Sequence, residues 1–128
     1  MGLLDDLSRA REAYERREWV SAYRTLSSLD GSDITAADFA ALATVAYLLG
    51  KRNDCVQALQ RAYQSNLDQG DVLAAVRSAL WLSAVLFEGG EWAIGGGWMA
   101  RAQRLLDQVE RDVVERGYLL NMQESATS

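Results

Sequence analysis

The chain has 128 residues, a hydrophobic share of 49% and a formal net charge of −5, which is one domain's worth of sequence with enough apolar material for a core. It contains no histidine, so the commonest general base and metal ligand is missing. Its 13 basic residues are dispersed, which makes it a poor holder of a polyanion.

The opening MGLLDDLSRA lacks a basic region followed by an apolar one, so no signal peptide is expected. Asp6 stands where myristoylation would want a hydroxyl. No apolar run is long enough to span a bilayer. A single cysteine fits a reducing compartment. Together these predict a cytoplasmic protein. There is no proline, so helices can run long, and breaks must come from Gly, Asn, Asp and Ser.

A first helix is predicted from about Leu3 to Arg17, where Leu3, Leu7, Ala10 and Tyr14 recur at three-to-four spacing. Asp5 and Asp6 sit in its first turn, where the helix dipole favours acids. Glu18 and Trp19 begin the return, and Ala22, Leu26 and Leu29 make the inner face of a second helix. Asp30-Gly31-Ser32-Asp33 is a strong break. Thr35 followed by Asp38 resembles a capping box with Asp in place of Glu. The third helix then runs to Leu49, and Gly50 supplies a left-handed cap. A fourth starts near Asn53 or Asp54 and continues past Tyr63 to about Leu67. Asp68-Gln69-Gly70 is the next loop, and Asp71 is a good N-cap. The fifth helix, Val72 to Glu88, is the most apolar, and Gly89-Gly90 ends it. The sixth spans about Glu91 to Val109. A trailing helix is predicted over about 112–122, and the polar residues 123–128 read as a flexible tail.

The helices pair by a recurring pattern. Small residues at Ala43, Cys55 and Ala62 are separated by twelve and then seven, and the spacing recurs as Ala10, Ala22, Leu29 and as Ser83, Gly95, Ala102. Four after each first small residue comes an aromatic: Tyr14, Tyr47, Phe87. Sixteen after it comes a core-type side chain: Leu26, Leu59, Met99. At plus nine stand Trp19, Arg52 and Trp92. The copies begin 33 and then 40 residues apart, and the extra seven lengthen either the two helices between Ala62 and Ser83 or their loop. The expected fold is therefore all-α: three antiparallel helical hairpins over about 3–30, 35–67 and 71–109, plus the trailing helix, in one domain over 1–122.

A helix–turn–helix unit with small residues at these offsets resembles the tetratricopeptide repeat (TPR). The likeness covers roughly Leu4 to Leu106 and is best in the middle copy, with Phe39, Leu42-Ala43, Ala46-Tyr47, Gly50, Cys55, Leu59 and Ala62. The other copies depart from it, with Asp6 and Arg9 at usually apolar places and no closing proline. The resemblance implies an α-solenoid fragment. The runs REAYERREWVSAYRTLSSLD and LATVAYLLGKRNDCVQALQRAYQ, and GGGWMARAQRLLDQ with ERGYLL, also resemble the helical-repeat region of bacterial LuxR-type, maltose-regulator-like transcription regulators. That likeness implies a sensory or interaction segment whose DNA-binding part lies elsewhere. Related repeats accompany multidomain ATPases and nucleotide cyclases, and a stand-alone scaffolding adaptor is a further alternative.

Candidate chemistry is sparse. Gly95-Gly96-Gly97 lacks the strand and the Lys-Ser/Thr of a phosphate loop, and reads better as a small-residue slot between two helices, at a local cost in helix propensity. Cys55 shares its repeat position with Ala22 and Gly95, so it reads as a small buried hydrophobe. Asp5-Asp6 and Asn53-Asp54 fall at helix starts, where capping explains them. No cofactor or metal is expected, and the chain is read as non-enzymatic.

Stacked hairpins set their first helices side by side along a concave surface. The repeat offsets place Arg11, Tyr14, Thr44, Tyr47, Arg77, Phe87 and Glu88 there. That is an aromatic stripe with two arginines, suited to a peptide or a small molecule bearing an acidic group. No direct nucleic-acid contact and no membrane contact are expected of this segment. The trailing helix carries Val113, Tyr118, Leu119 and Leu120 with nothing to cover them, which predicts a homodimer or docking onto a neighbouring segment through that end.

The purified chain is expected to show no catalytic turnover. A hydrolytic or transferase activity that co-purifies with it and disappears on changing one residue would refute this.

Overall fold

The computed structural model describes the backbone of residues 3–29 and 34–127, and side chains within 5–29 and 34–111. These residues are all-α. The helices are α1 (Leu3–Glu15), α2 (Trp19–Ser28), α3 (Ala36–Leu48), α4 (Arg52–Asp68), α5 (Val72–Glu88) and α6 (Trp92–Thr127). Each packs chiefly against the helix before and after it in the chain.

Four of the five connections are the same three-residue corner. At Arg17, Gly50, Gly70 and Gly90 the backbone turns left-handed, with φ of 60°, 75°, 78° and 81°. In each corner that residue's N–H donates to the carbonyl three back, and the next N–H donates to the carbonyl five back. These bonds span 2.7 to 3.1 Å. This is the Schellman arrangement, which satisfies the orphan carbonyls of the ending helix. Three corners use glycine, which turns left-handed without steric cost. Arg17 does so at a cost of about 1–2 kcal/mol.

Helix starts are set by side chains. Thr35 and Asp38 form the full capping box expected for α3. Asp71 accepts from the Ala74 N–H at 3.2 Å to open α5. The capping reading of Asn53-Asp54 is corrected: α4 begins at Arg52 behind Lys51 and has no side-chain cap bond. Asp54 instead accepts a hydrogen bond from the Tyr23 hydroxyl, which ties α2 to α4, and Lys51 lies 5.0 Å over the Tyr23 ring.

The extra seven residues went into helix rather than loop. α4 has 17 residues against 10 in its counterpart α2, α5 has 17 against 13 in α3, and only residues 69–71 join α4 to α5. The segment expected as a separate trailing helix is the uninterrupted continuation of α6, which reaches Thr127 and so also covers most of the segment read as a flexible tail. It contains no proline, and its one late glycine, Gly117, costs only about 1 kcal/mol.

The repeat offsets coincide with burial. Ala10, Ala43, Ser83, Ala22, Cys55 and Ala62 are fully buried, Ala102 and Gly95 are buried, and Leu29 is half-buried. Small side chains here let paired helices approach closely. Gly95 is the extreme case: a Cβ there would lie 2.8 Å from the Phe87 ring and 3.3 Å from the Ser83 carbonyl oxygen. Gly96 and Gly97 face open space. The Ser83 hydroxyl is buried without a partner among the described residues, in a slot that is alanine in the other two copies.

Gly96→Ala and Gly97→Ala are each expected to stabilise the fold by up to about 1 kcal/mol in urea unfolding, from helix propensity alone. Gly95→Ala should instead lower stability by about 1–2 kcal/mol, because Phe87 must give way. Ser83→Ala should be neutral or stabilising, since it removes a buried hydroxyl that bonds to nothing.

Candidate functional site

The first helices of the three hairpins, α1, α3 and α5, share a face with two clefts. One, of about 370 Å³, lies between α1 and α3 and is lined by Ala10, Arg11, Tyr14, Thr35 and Asp38. The other, of about 340 Å³, lies between α3 and α5, where Ala36 and Ala40 oppose Arg77, Ser78 and Trp81 above Leu59. Ala37 borders both. α3 supplies a low wall because its side chains on this face are alanines, which leaves room beside the bulkier residues of α1 and α5.

The α1–α3 cleft is closed at one side by an ion pair. The Arg11 fork donates to both Asp38 carboxylate oxygens, at 2.9 Å through Nε and 2.8 Å through Nη2. Asp38 is 5% exposed and also accepts from the Thr35 N–H at 3.0 Å. One carboxylate thus caps α3 and holds α1 against it. The Arg11 hydrogen bonds, helped by those from Thr35, hold the Asp38 carboxyl below its ordinary range against the opposing effect of burial. Arg11 is pushed further into its charged form by the same bond.

The seven residues read from the repeat do not form one continuous stripe. Arg11 and Tyr14 meet in the α1–α3 cleft, but the Arg11 fork is occupied. Tyr14 also packs edge-on against Trp19, with centroids 5.7 Å apart, across the α1–α2 corner. Phe87 stacks on Trp92 at 5.2 Å across the α5–α6 corner. Both pairs are staples between the helices of a hairpin. The middle copy has Arg52 in place of the tryptophan, and Tyr47 is 42% exposed. Its hydroxyl donates instead to Glu88, at 3.1 Å from each carboxylate oxygen, bridging α3 to α5. That bond raises the tyrosine's pKa. Thr44 donates back to the Ala40 carbonyl, 3.0 Å away. Arg77 is exposed on the wall of the α3–α5 cleft and makes no ion pair among the described residues. Val113, Tyr118, Leu119 and Leu120 fall outside the residues whose side chains are described.

Sequence reasoning missed Asp38, Ser78 and Trp81 as cleft residues. Asp38 and Ser78 occupy one repeat position, 40 residues apart, and both are polar on faces that are otherwise apolar. That coincidence was the available signal. Among the described residues no three His, Cys, Asp or Glu side chains cluster as metal ligands, and no helix is long and apolar enough to cross a membrane.

Cys55 is fully buried, and its thiol is pushed up to about 11, mainly by burial and secondarily by the charge of Glu88. A thiol reagent should therefore modify it only on unfolding, at a rate that tracks urea concentration. Arg11→Ala is expected to cost about 1–3 kcal/mol, because it leaves a buried carboxylate half satisfied. Asp38 has a lowered folded-state pKa, so its contribution is complete above the unfolded carboxylate value and is lost as pH falls towards the folded one. Asp38→Asn should be less stable than the native chain at pH 7 and lose less stability on acidification below about pH 4, read by thermal melts across pH.

No protein-family model matches the chain, and neither a curated protein nor a solved structure matches it.

Proposed function

We propose that the chain is a non-catalytic, TPR-like binding module that takes a peptide or small molecule with an acidic group on the face shared by α1, α3 and α5. The observation that carries this reading is the α3–α5 cleft. It combines an alanine wall, the partly buried ring of Trp81 and the exposed guanidinium of Arg77. An alanine wall admits an extended chain, an aromatic offers contact area at small entropic cost, and an open guanidinium pairs with a carboxylate in a forked geometry. Arg77 is the arginine for this role, because Arg11 already holds Asp38. Helices that pack in chain order, with repeat slots buried in register, support the hairpin-array reading. The resemblance of the runs quoted above supports a place as the sensory or interaction segment of a LuxR-type transcription regulator.

A library of extended peptides with and without a carboxylate, titrated while Trp fluorescence is followed, tests the binding role. Acidic peptides are expected to bind. Arg77→Ala should weaken them at least tenfold with little change in thermal stability. If Arg77→Ala leaves binding untouched, the cleft is not the site.

A further inference from the structure

Because the hairpins repeat, a residue facing the next hairpin in one copy has counterparts in the others. Leu26 is 6% exposed under α3, and Leu59, its counterpart, is fully buried under α5. The third member of the set, Met99 on α6, is 46% exposed. The first helices tell the same story. Ala40 of α3 lies at the cleft against α5, whereas its counterpart Leu80 is 44% exposed. Leu73 at 49% and Trp92 at 67% extend this bare surface, with exposed Ala84 and half-buried Leu106. Trp92, Met99 and Leu106 are seven apart and so share one stripe of α6. The spacing continues in sequence at Val113 and Leu120, outside the described side chains.

The opposite end of the array is built differently. Asp38, Ala41, Leu42 and Val45 of α3 pack back on the preceding hairpin. Their counterparts in α1 are Asp5, Ser8, Arg9 and Glu12, all exposed. An Arg9–Asp6 ion pair lies along the same helix, and an Arg16–Glu12 pair lies at its end. The first hairpin therefore has the polar outer face of a terminal cap, and the last does not. Head-to-tail stacking of copies would bury that charged face against apolar residues, at a desolvation cost nothing repays.

We propose that the outer face of α5 and α6 is a homodimer interface, on which a second copy of this chain docks about a twofold axis. This deepens the expectation of association through the C-terminal end by moving the contact onto the last hairpin. None of the six residues named on the face is charged. Two helices about 10 Å across, over the roughly 25 Å length of α5, project about 500 Å². The accessible area exceeds the projection, which brings the patch to the scale of the roughly 800 Å² per partner that a stable dimer buries.

Sedimentation equilibrium on the full chain tests this. The native protein should be a dimer at micromolar concentration. Leu80→Asp combined with Met99→Asp should weaken association at least tenfold with unchanged helical circular dichroism. Should that pair disturb folding, Leu80→Cys decides: it should form an inter-copy disulfide under mild oxidation at least tenfold faster than Ser8→Cys on the capped face, with Cys55 buried and silent. A native monomer up to millimolar concentration would overturn the proposal. So would a charged pair that stays dimeric, equal cross-linking at the two positions, or association lost only with Leu119→Asp. Peptide titration of the same variants keeps the cleft reading separate, because the substituted side chains are outside the clefts.

Discussion

Everything in this molecule hangs on a corner of three residues with one left-handed backbone. A linker that short leaves the next helix one course, back along the helix it has just left. Hydrogen bonds from the corner close the outgoing helix, so the turn is not a slack loop but part of the helix end. With the corner fixed, the small slots of paired helices come opposite each other at the same distance from the turn. Ala10 meets the level of Ala22, Ala43 that of Cys55, and Ser83 that of Gly95. Close approach then follows from side-chain size, and burial of the flanking leucines and valines follows from close approach.

Contacts between hairpins add directional polar bonds to the apolar clusters that neighbouring hairpins share. Within a hairpin the helices meet through alanine, glycine and cysteine, but α1 is tied to α3 by Arg11 and Asp38, α2 to α4 by Tyr23 and Asp54, and α3 to α5 by Tyr47 and Glu88. Polar bonds are directional, and apolar burial is not. The array thus buries apolar surface both inside each pair and between neighbouring pairs, and takes its orientation from a few side-chain bonds at the edges. The clefts sit between these edge bonds, where facing alanines leave space unfilled.

Much of this could be read from the sequence because the signals are local. Thr35 and Asp38 are three apart, Gly50 follows its helix directly, and the bounds of α5 coincide with Asp71 and Gly89. What escaped was long-range or went against local preference. Arg11 and Asp38 are 27 residues apart, and no helical periodicity links them. Asp54 has the position of a capping residue and the partner of a tertiary contact. Arg17 turns left-handed although nothing in its side chain favours it, because the α1–α2 corner needs the same backbone as the others. The clefts were half legible: offsets pointed to the right helices, but which arginine had its fork engaged depends on a neighbour that sequence spacing does not reveal.

The seven residues that separate the second copy from the third in excess of the regular spacing carry a rule about size. The helices that take them up, α4 and α5, exceed their counterparts α2 and α3 by seven and four residues, close to two turns and one, and a link shorter by four residues makes up the balance. A full turn returns the chain to the same azimuth, so the corner leaves in the same direction and both buried faces stay in phase. A gain of two residues per helix would swing the corner by more than half a revolution and point the apolar stripe of α5 at solvent. Hairpins of this kind can therefore change length only in discrete steps, much as a screw advances by whole threads. Two copies of unequal length can still share one architecture, provided that each helix differs from its counterpart by close to a whole number of turns.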